Sequence, residues 1–179
     1  MKLLRSVTLF LATTVVHASM ETVPPPRQHS PPKEGINWEE FNFSLNGVKT
    51  DAMWVNTIAV GKESFAADRT RSLRPMGMLT LSPAATVLNY GQALFEGMKA
   101  LRRHDGSIAL FRPERNAWRM QQGAERFLLP VVPTDVFVAA AEEMVRANAQ
   151  WIPPSGKGAF YLRTCMYAYR ERTANVLES

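Results

Sequence analysis

The chain has 179 residues, 46% of them apolar, with a net charge of +5 and a pI of about 9.7. That is enough apolar material for one sizeable core, and the basic residues are scattered instead of clustered, which argues against a nucleic-acid footprint. A single cysteine, Cys165, excludes an internal disulfide and a cysteine-based zinc site, and His17, His29 and His104 lack metal-ligand spacing, so no metal site is expected.

Residues 1–19 differ from the rest: two positive charges in Met1–Arg5, a short apolar run from Ser6 to Val16, then His17-Ala18-Ser19, with no acid before Glu21. A basic start, an apolar run and small residues make a removable targeting segment, and the run falls short of the roughly 20 residues that cross a bilayer. Residues 20–36 follow as a proline-rich linker holding Pro24, Pro25, Pro26, Pro31 and Pro32. The folded part, 37–166, is expected to begin after it.

Asn46-Gly47 is a hairpin signal, since both residues tolerate positive φ. A strand is expected over Ala52–Val60, a polar loop over 61–77 and a short strand at Leu79–Leu81. Asp105-Gly106 marks a second hairpin joining strands Met98–Arg103 and Ile108–Phe111. Pro113 opens a helix predicted over 114–128, with Ala117, Met120, Ala124, Phe127 and Leu128 on one face and Arg115, Arg119, Gln122 and Arg126 on another. A second helix is predicted over Asp135–Ala149, N-capped by Thr134, with Val136, Phe137, Ala140, Met144 and Val145 as its apolar stripe. The last strand is expected over Ala159–Met166; alternation puts Tyr161, Arg163 and Cys165 on one side and Phe160, Leu162 and Thr164 on the other. A tyrosine and an arginine two apart on one strand can reach a single anion together, though a half-exposed edge strand accounts equally for the pattern. The expected architecture is α/β of the α+β kind, a largely antiparallel sheet with packed helices.

The block Leu88-Asn89-Tyr90-Gly91-Gln92-Ala93-Leu94-Phe95-Glu96-Gly97-Met98-Lys99-Ala100 resembles the signature of the branched-chain amino acid aminotransferases, class IV, fold-type IV pyridoxal phosphate enzymes. Leu110-Phe111-Arg112-Pro113-Glu114-Arg115-Asn116, Arg119-Met120, Pro130, Gly158 and Phe160-Tyr161-Leu162-Arg163 continue the resemblance over roughly residues 40–164. It implies the small N-terminal domain of that fold and transfer of the amino group of leucine, isoleucine or valine to 2-oxoglutarate. By position it makes Arg119 the arginine for the cofactor phosphate, and Tyr90, Phe95, Tyr161 and Arg163 residues of the substrate pocket. A planar guanidinium suits phosphate and carboxylate alike. The resemblance further implies a homodimer. The acid-free, Ser/Thr-containing N-terminal segment suits an organelle address, mitochondrion or plastid, the secretory pathway being its alternative reading.

Two departures accompany it. None of the six lysines (Lys2, Lys33, Lys49, Lys62, Lys99 and Lys157) stands in the context of the family's Schiff-base lysine, so no catalytic residue is expected within these 179 residues and a second, lysine-bearing domain is missing from them. After Arg163 the match is lost: Thr164 stands where a proline is expected, and 167–179 is a divergent tail. The expectation is a truncated transaminase, inactive by itself. A D-amino acid aminotransferase, an aminodeoxychorismate lyase or a non-catalytic module that pairs with full-length subunits are the alternatives.

Overall fold

A computed structural model of the chain describes residues 6–12, 31–41, 50–59 and 73–169. The Asn46-Gly47 signal, most of the 61–77 stretch and the end of the tail lie outside the described residues.

The long strands follow the period-2 pattern. β1 is Ser6–Ala12, β2 Ala52–Ala59, β3 Leu73–Pro75, β4 Ala93–Arg102, β5 Ile108–Leu110 and β6 Phe160–Tyr169. They form one sheet in the order β3-β2-β1-β6-β4-β5, every neighbouring pair antiparallel. The hairpin at Asp105-Gly106 forms as expected: Gly106 takes φ 82°, and the Asp105 carboxylate accepts the Ser107 N–H and hydroxyl.

Among the described residues, three helices cover part of this sheet: α1 (Thr86–Tyr90), α2 (Pro113–Arg126) and α3 (Thr134–Ala147), the last followed by a 3-10 turn at Ala149–Trp151. Most residues of the predicted stripes are buried. Ala117, Met120 and Ala124 of α2 and Val136, Phe137, Ala140, Met144 and Val145 of α3 join Met98, Ala100, Phe160, Leu162 and Met166 in the main core. The expected α/β class, with antiparallel strands and packed helices, is the observed one.

Several boundaries move. The expected loop contains β3, which pairs Leu73, Arg74 and Pro75 with Trp54, Met53 and Ala52; three residues are too few to show alternation. Leu79–Leu81 is not a strand, because no strand among the described residues pairs with it; Leu79 packs beside Met53 and Cys165 instead. α1 was not expected, and Gly91 ends it at φ 62°. α2 stops at Arg126, where Leu128 takes φ 55°, so Phe127 and Leu128 leave the core face and stay exposed while Leu129 is buried. Thr134 is not a cap: Pro133 precedes the helix without a side-chain cap, and the Thr134 hydroxyl accepts from Gln121. β6 runs three residues into the presumed tail, burying Met166 and Ala168. The apolar run of the presumed targeting segment lies as β1 between β2 and β6. From the linker, the Lys33 N–H donates to Gln150 O and its ammonium lies 4.0 Å from the centre of the Trp151 ring.

One buried polar side chain ties the layers together. Asn148, fully buried, accepts the N–H groups of Asp51 and Ala52 on its Oδ1, and its Nδ2 donates to Ala52 O and Met144 O. It joins the start of β2 to the end of α3. Asn148→Ala strands these backbone groups in a buried place, and urea unfolding should show a loss of about 2–4 kcal/mol, each unsatisfied group costing about 1–3 kcal/mol.

Candidate functional site

β4 and β6 bring the two halves of the site together. Their register sets Phe95 opposite Cys165, Gly97 opposite Arg163 and Lys99 opposite Tyr161. Residues directly opposite in an antiparallel pair share a face, so Phe95, Gly97, Tyr161 and Arg163 stand on one side of the sheet. The main core, with α2 and α3, lies on the other.

On that face the Arg163 guanidinium carbon lies 4.4 Å from the centre of the Phe95 ring and 5.3 Å from that of Tyr161. A guanidinium over two aromatic faces is held by their quadrupoles and loses water on those sides. Arg163 Nε is buried without a hydrogen-bond partner. A buried donor left unpaired is costly, and an anion arriving at this arginine would relieve it. Phe95 is 64% exposed and Tyr161 38%, so both rings present apolar surface to the open side.

Gly97 makes room for this arrangement. A Cβ there would lie 1.8 Å from the Tyr161 hydroxyl oxygen and 2.5 Å from Cζ. β5 covers β4 only at Ala100–Arg102, so it does not reach Gly97. Side chains take over: the Gly97 N–H donates to Glu96 Oε1 at 2.8 Å, and its carbonyl accepts from Asn116 Nδ2 at 3.0 Å. Asn116, a buried polar residue on the core side of α2, was passed over in the apolar pattern; its place in the stripe between Ala117 and Pro113 was the available signal.

Arg119 lies elsewhere, on α2. Its Nε donates to Glu96 Oε2 at 2.6 Å and its Nη2 to Glu96 Oε1 at 2.8 Å, a bidentate pair. Arg119 also lines a shallow cavity of about 250 Å³ with Phe111, Arg112, Arg115, Asn116 and Trp118. Tyr90, the last residue of α1, is 84% exposed. The structure therefore unites Phe95, Tyr161 and Arg163, connects Arg119 to them through Glu96 and Gly97, and shows no contact between Tyr90 and this group. Sequence reasoning missed Glu96 and Gly97 as the connecting residues, although both stand inside the quoted block.

Cys165 shares the strand face with Tyr161 and Arg163 but is only 7% exposed, against Met53 and near Leu79 and Tyr167. Burial raises the Cys165 thiol and the Tyr167 phenol above their ordinary ranges, Arg163 working weakly in the opposite direction on both. Among the described residues, no group of three or more His, Cys, Asp or Glu side chains could hold a metal ion, and no helix is long and apolar enough to cross a membrane.

Comparison with known proteins gives consistent relatives. Over 128 residues, 72% of this chain, it is 49% identical to branched-chain amino acid aminotransferase 2, chloroplastic, of Humulus lupulus. It is 44% identical over 132 residues to an Arabidopsis thaliana methionine aminotransferase, and 45% identical over 129 residues to the mitochondrial branched-chain amino acid aminotransferase 1 of Humulus lupulus. The chain spans about a third of the length of these relatives, 30%, 36% and 31% respectively. No protein-family model matches it. A solved branched-chain amino acid aminotransferase from Thermobaculum terrenum, in its PLP form, overlaps 54% of this chain and 37% of its own at 18% identity and a TM-score of 0.39, a likeness too partial to define a fold.

Two outcomes are expected from this geometry. Gly97→Ala should destabilise by about 1–3 kcal/mol, the usual cost of overpacking, and adding Tyr161→Ala should recover most of it in a thermal or urea melt; equal losses in the single and double variants would mean the ring does not rest on Gly97. With both pKa values raised, stability is full below the ordinary thiol and phenol range and falls as pH climbs through it. Cys165 should react with a thiol reagent at pH 8 only slowly until denaturant is added; rapid labelling of the native chain would show that strand face to be open there.

Proposed function

We propose, for a chain homologous to the branched-chain amino acid aminotransferases over 72% of its length, that these residues form the part of such a transaminase that grips the substrate carboxylate and the cofactor phosphate. The observation that carries this is the stacking of Arg163 between Phe95 and Tyr161 across the β4–β6 pair, with its Nε buried and unpaired. That is a prepared site for a small carboxylate beside apolar walls, which is what a branched-chain amino or oxo acid presents.

The residues present fit pyridoxal phosphate. Arg119 commits two of its five N–H groups to Glu96 and keeps three for a phosphate. When bound, the cofactor supplies an electron sink that lets the substrate Cα–H bond give up its proton. The chain's own contribution is binding and orientation. Arg163 takes the substrate carboxylate, its charge undiluted by water on the two stacked sides. Phe95 and Tyr161 cover the aliphatic side chain and keep water from it. Tyr90, exposed at the end of α1, is assigned to the same pocket by its place in the block that resembles the family signature. Discrimination among aliphatic substrates is modest in such a pocket, about 1–3 kcal/mol per methylene, and the methionine-specific name of one relative puts methionine among the substrates to be compared.

The proton-transferring lysine is to come from outside these 179 residues, so they hold no catalytic residue. The working form is a homodimer of the longer enzyme. The chloroplastic and mitochondrial names of the relatives favour an organelle over the secretory route.

The reading is tested in two steps. The 179-residue chain, given leucine, 2-oxoglutarate and pyridoxal phosphate, should produce no glutamate; measurable turnover would contradict it. In an enzyme that carries the remaining domain, Arg163→Ala should raise KM for leucine, isoleucine, valine and methionine at least tenfold, since a charged hydrogen bond is worth about 1.5–3 kcal/mol; an unchanged KM would place the carboxylate elsewhere.

A further inference from the structure

The Glu96–Arg119 pair has more structure than neutralisation requires. The carboxylate takes the guanidinium from the side, through Nε and Nη2. A guanidinium bound this way still has an end-on fork, the second N–H of Nη2 and the two of Nη1, arranged for bidentate contact with phosphate.

The two partners are unequally fixed. The Glu96 side chain is 12% exposed and Arg119 58%. Glu96 is held from behind, since its Oε1 also accepts the Gly97 N–H, and Gly97 is held in turn by Asn116. The backbone of β4 therefore fixes the carboxylate, and the carboxylate fixes the arginine. A free arginine side chain has considerable rotamer entropy to lose; an arginine already held loses less when its ligand arrives.

A carboxylate beside a phosphate also repels it. The neighbourhood offsets this. Arg112 and Arg115 line the same cavity as Arg119, and among the described residues neither is in an ion pair. Three arginines thus line the cavity while one carboxylate, itself not part of the lining, pairs with one of them, so the lining carries a net positive charge.

We propose that Glu96 is a positioning residue: it presets Arg119 in the side-on pair so that the end-on fork is ready for the cofactor phosphate. This rests on the reading of Arg119 as the phosphate arginine, and the two can be separated by experiment. The full 179-residue chain and its Arg119→Ala, Glu96→Gln and Glu96→Asp variants are titrated by calorimetry with pyridoxal phosphate, inorganic phosphate and pyridoxal, each variant first being shown to melt cooperatively. Glu96→Gln keeps an acceptor for the Gly97 N–H and loses the charge; Glu96→Asp keeps the charge and loses the reach. Both should weaken pyridoxal phosphate and inorganic phosphate about tenfold, the scale of one charge-assisted hydrogen bond, and leave pyridoxal unchanged. Adding Glu96→Gln to Arg119→Ala should cost nothing further.

Should Glu96→Gln bind phosphate as tightly as the wild type, or more tightly, while Arg119→Ala has lost it, Glu96 is a competitor and the positioning role is overturned with the phosphate reading intact. Unaltered binding by Glu96→Asp overturns it as well, because charge without geometry would then suffice. Phosphate binding unchanged in Arg119→Ala, or absent from the wild type, defeats the reading of Arg119 itself.

Discussion

The antiparallel register of β4 on β6 is the constraint on which the other features depend. It sets Gly97 against Arg163 and Phe95 against Cys165, and a shift of one residue would send each of these side chains through to the opposite face. With the register as it is, three successive residues each govern one partner. Phe95 stacks on Arg163, Glu96 grips Arg119, and the bare Cα of Gly97 receives the Tyr161 ring. Adjacent strand residues point to opposite sides, so one tripeptide serves both faces of the sheet and couples them through a shared backbone.

The two arginines are kept by different physics. Arg163 is half-buried against two aromatic rings and has a buried donor without a partner. Arg119 is exposed and held by charge. Partial burial strengthens an interaction with a carboxylate by removing some of the water, while an exposed pair is screened by salt and needs a second restraint to hold its geometry. The hydrogen bond from Gly97 to Glu96 supplies that restraint.

Periodicity made much of this legible. The apolar stripes of α2 and α3 and the alternation along β6 were readable because each depends on one element packing on one neighbour. Tyr161 and Arg163 could be placed on one face from alternation alone, but the Phe95 ring against Arg163 comes from β4, 68 positions earlier by numbering, and no local pattern announces it. Features made by pairing were similarly hidden. β3 is defined by its bonds to β2, α1 is a five-residue turn closed by Gly91, and Asn148 does its work through backbone groups almost a hundred positions away. Leu128 is the clearest error of pattern: its spacing continues the stripe of α2, but the helix has already ended at Arg126 and Leu128 itself takes a left-handed backbone.

β1 has a consequence of its own. It is the seam of the sheet, joining a β3-β2 portion to a β6-β4-β5 portion. Within the sheet, the β3-β2 portion meets the β6-β4-β5 portion only through Ser6–Ala12, which pairs on one side with β2 and on the other with β6. Taking away these seven residues would leave β2 and β6 each with a row of unpaired backbone groups along one edge. The strand at the start of the chain is therefore the one that makes a single sheet of the two portions.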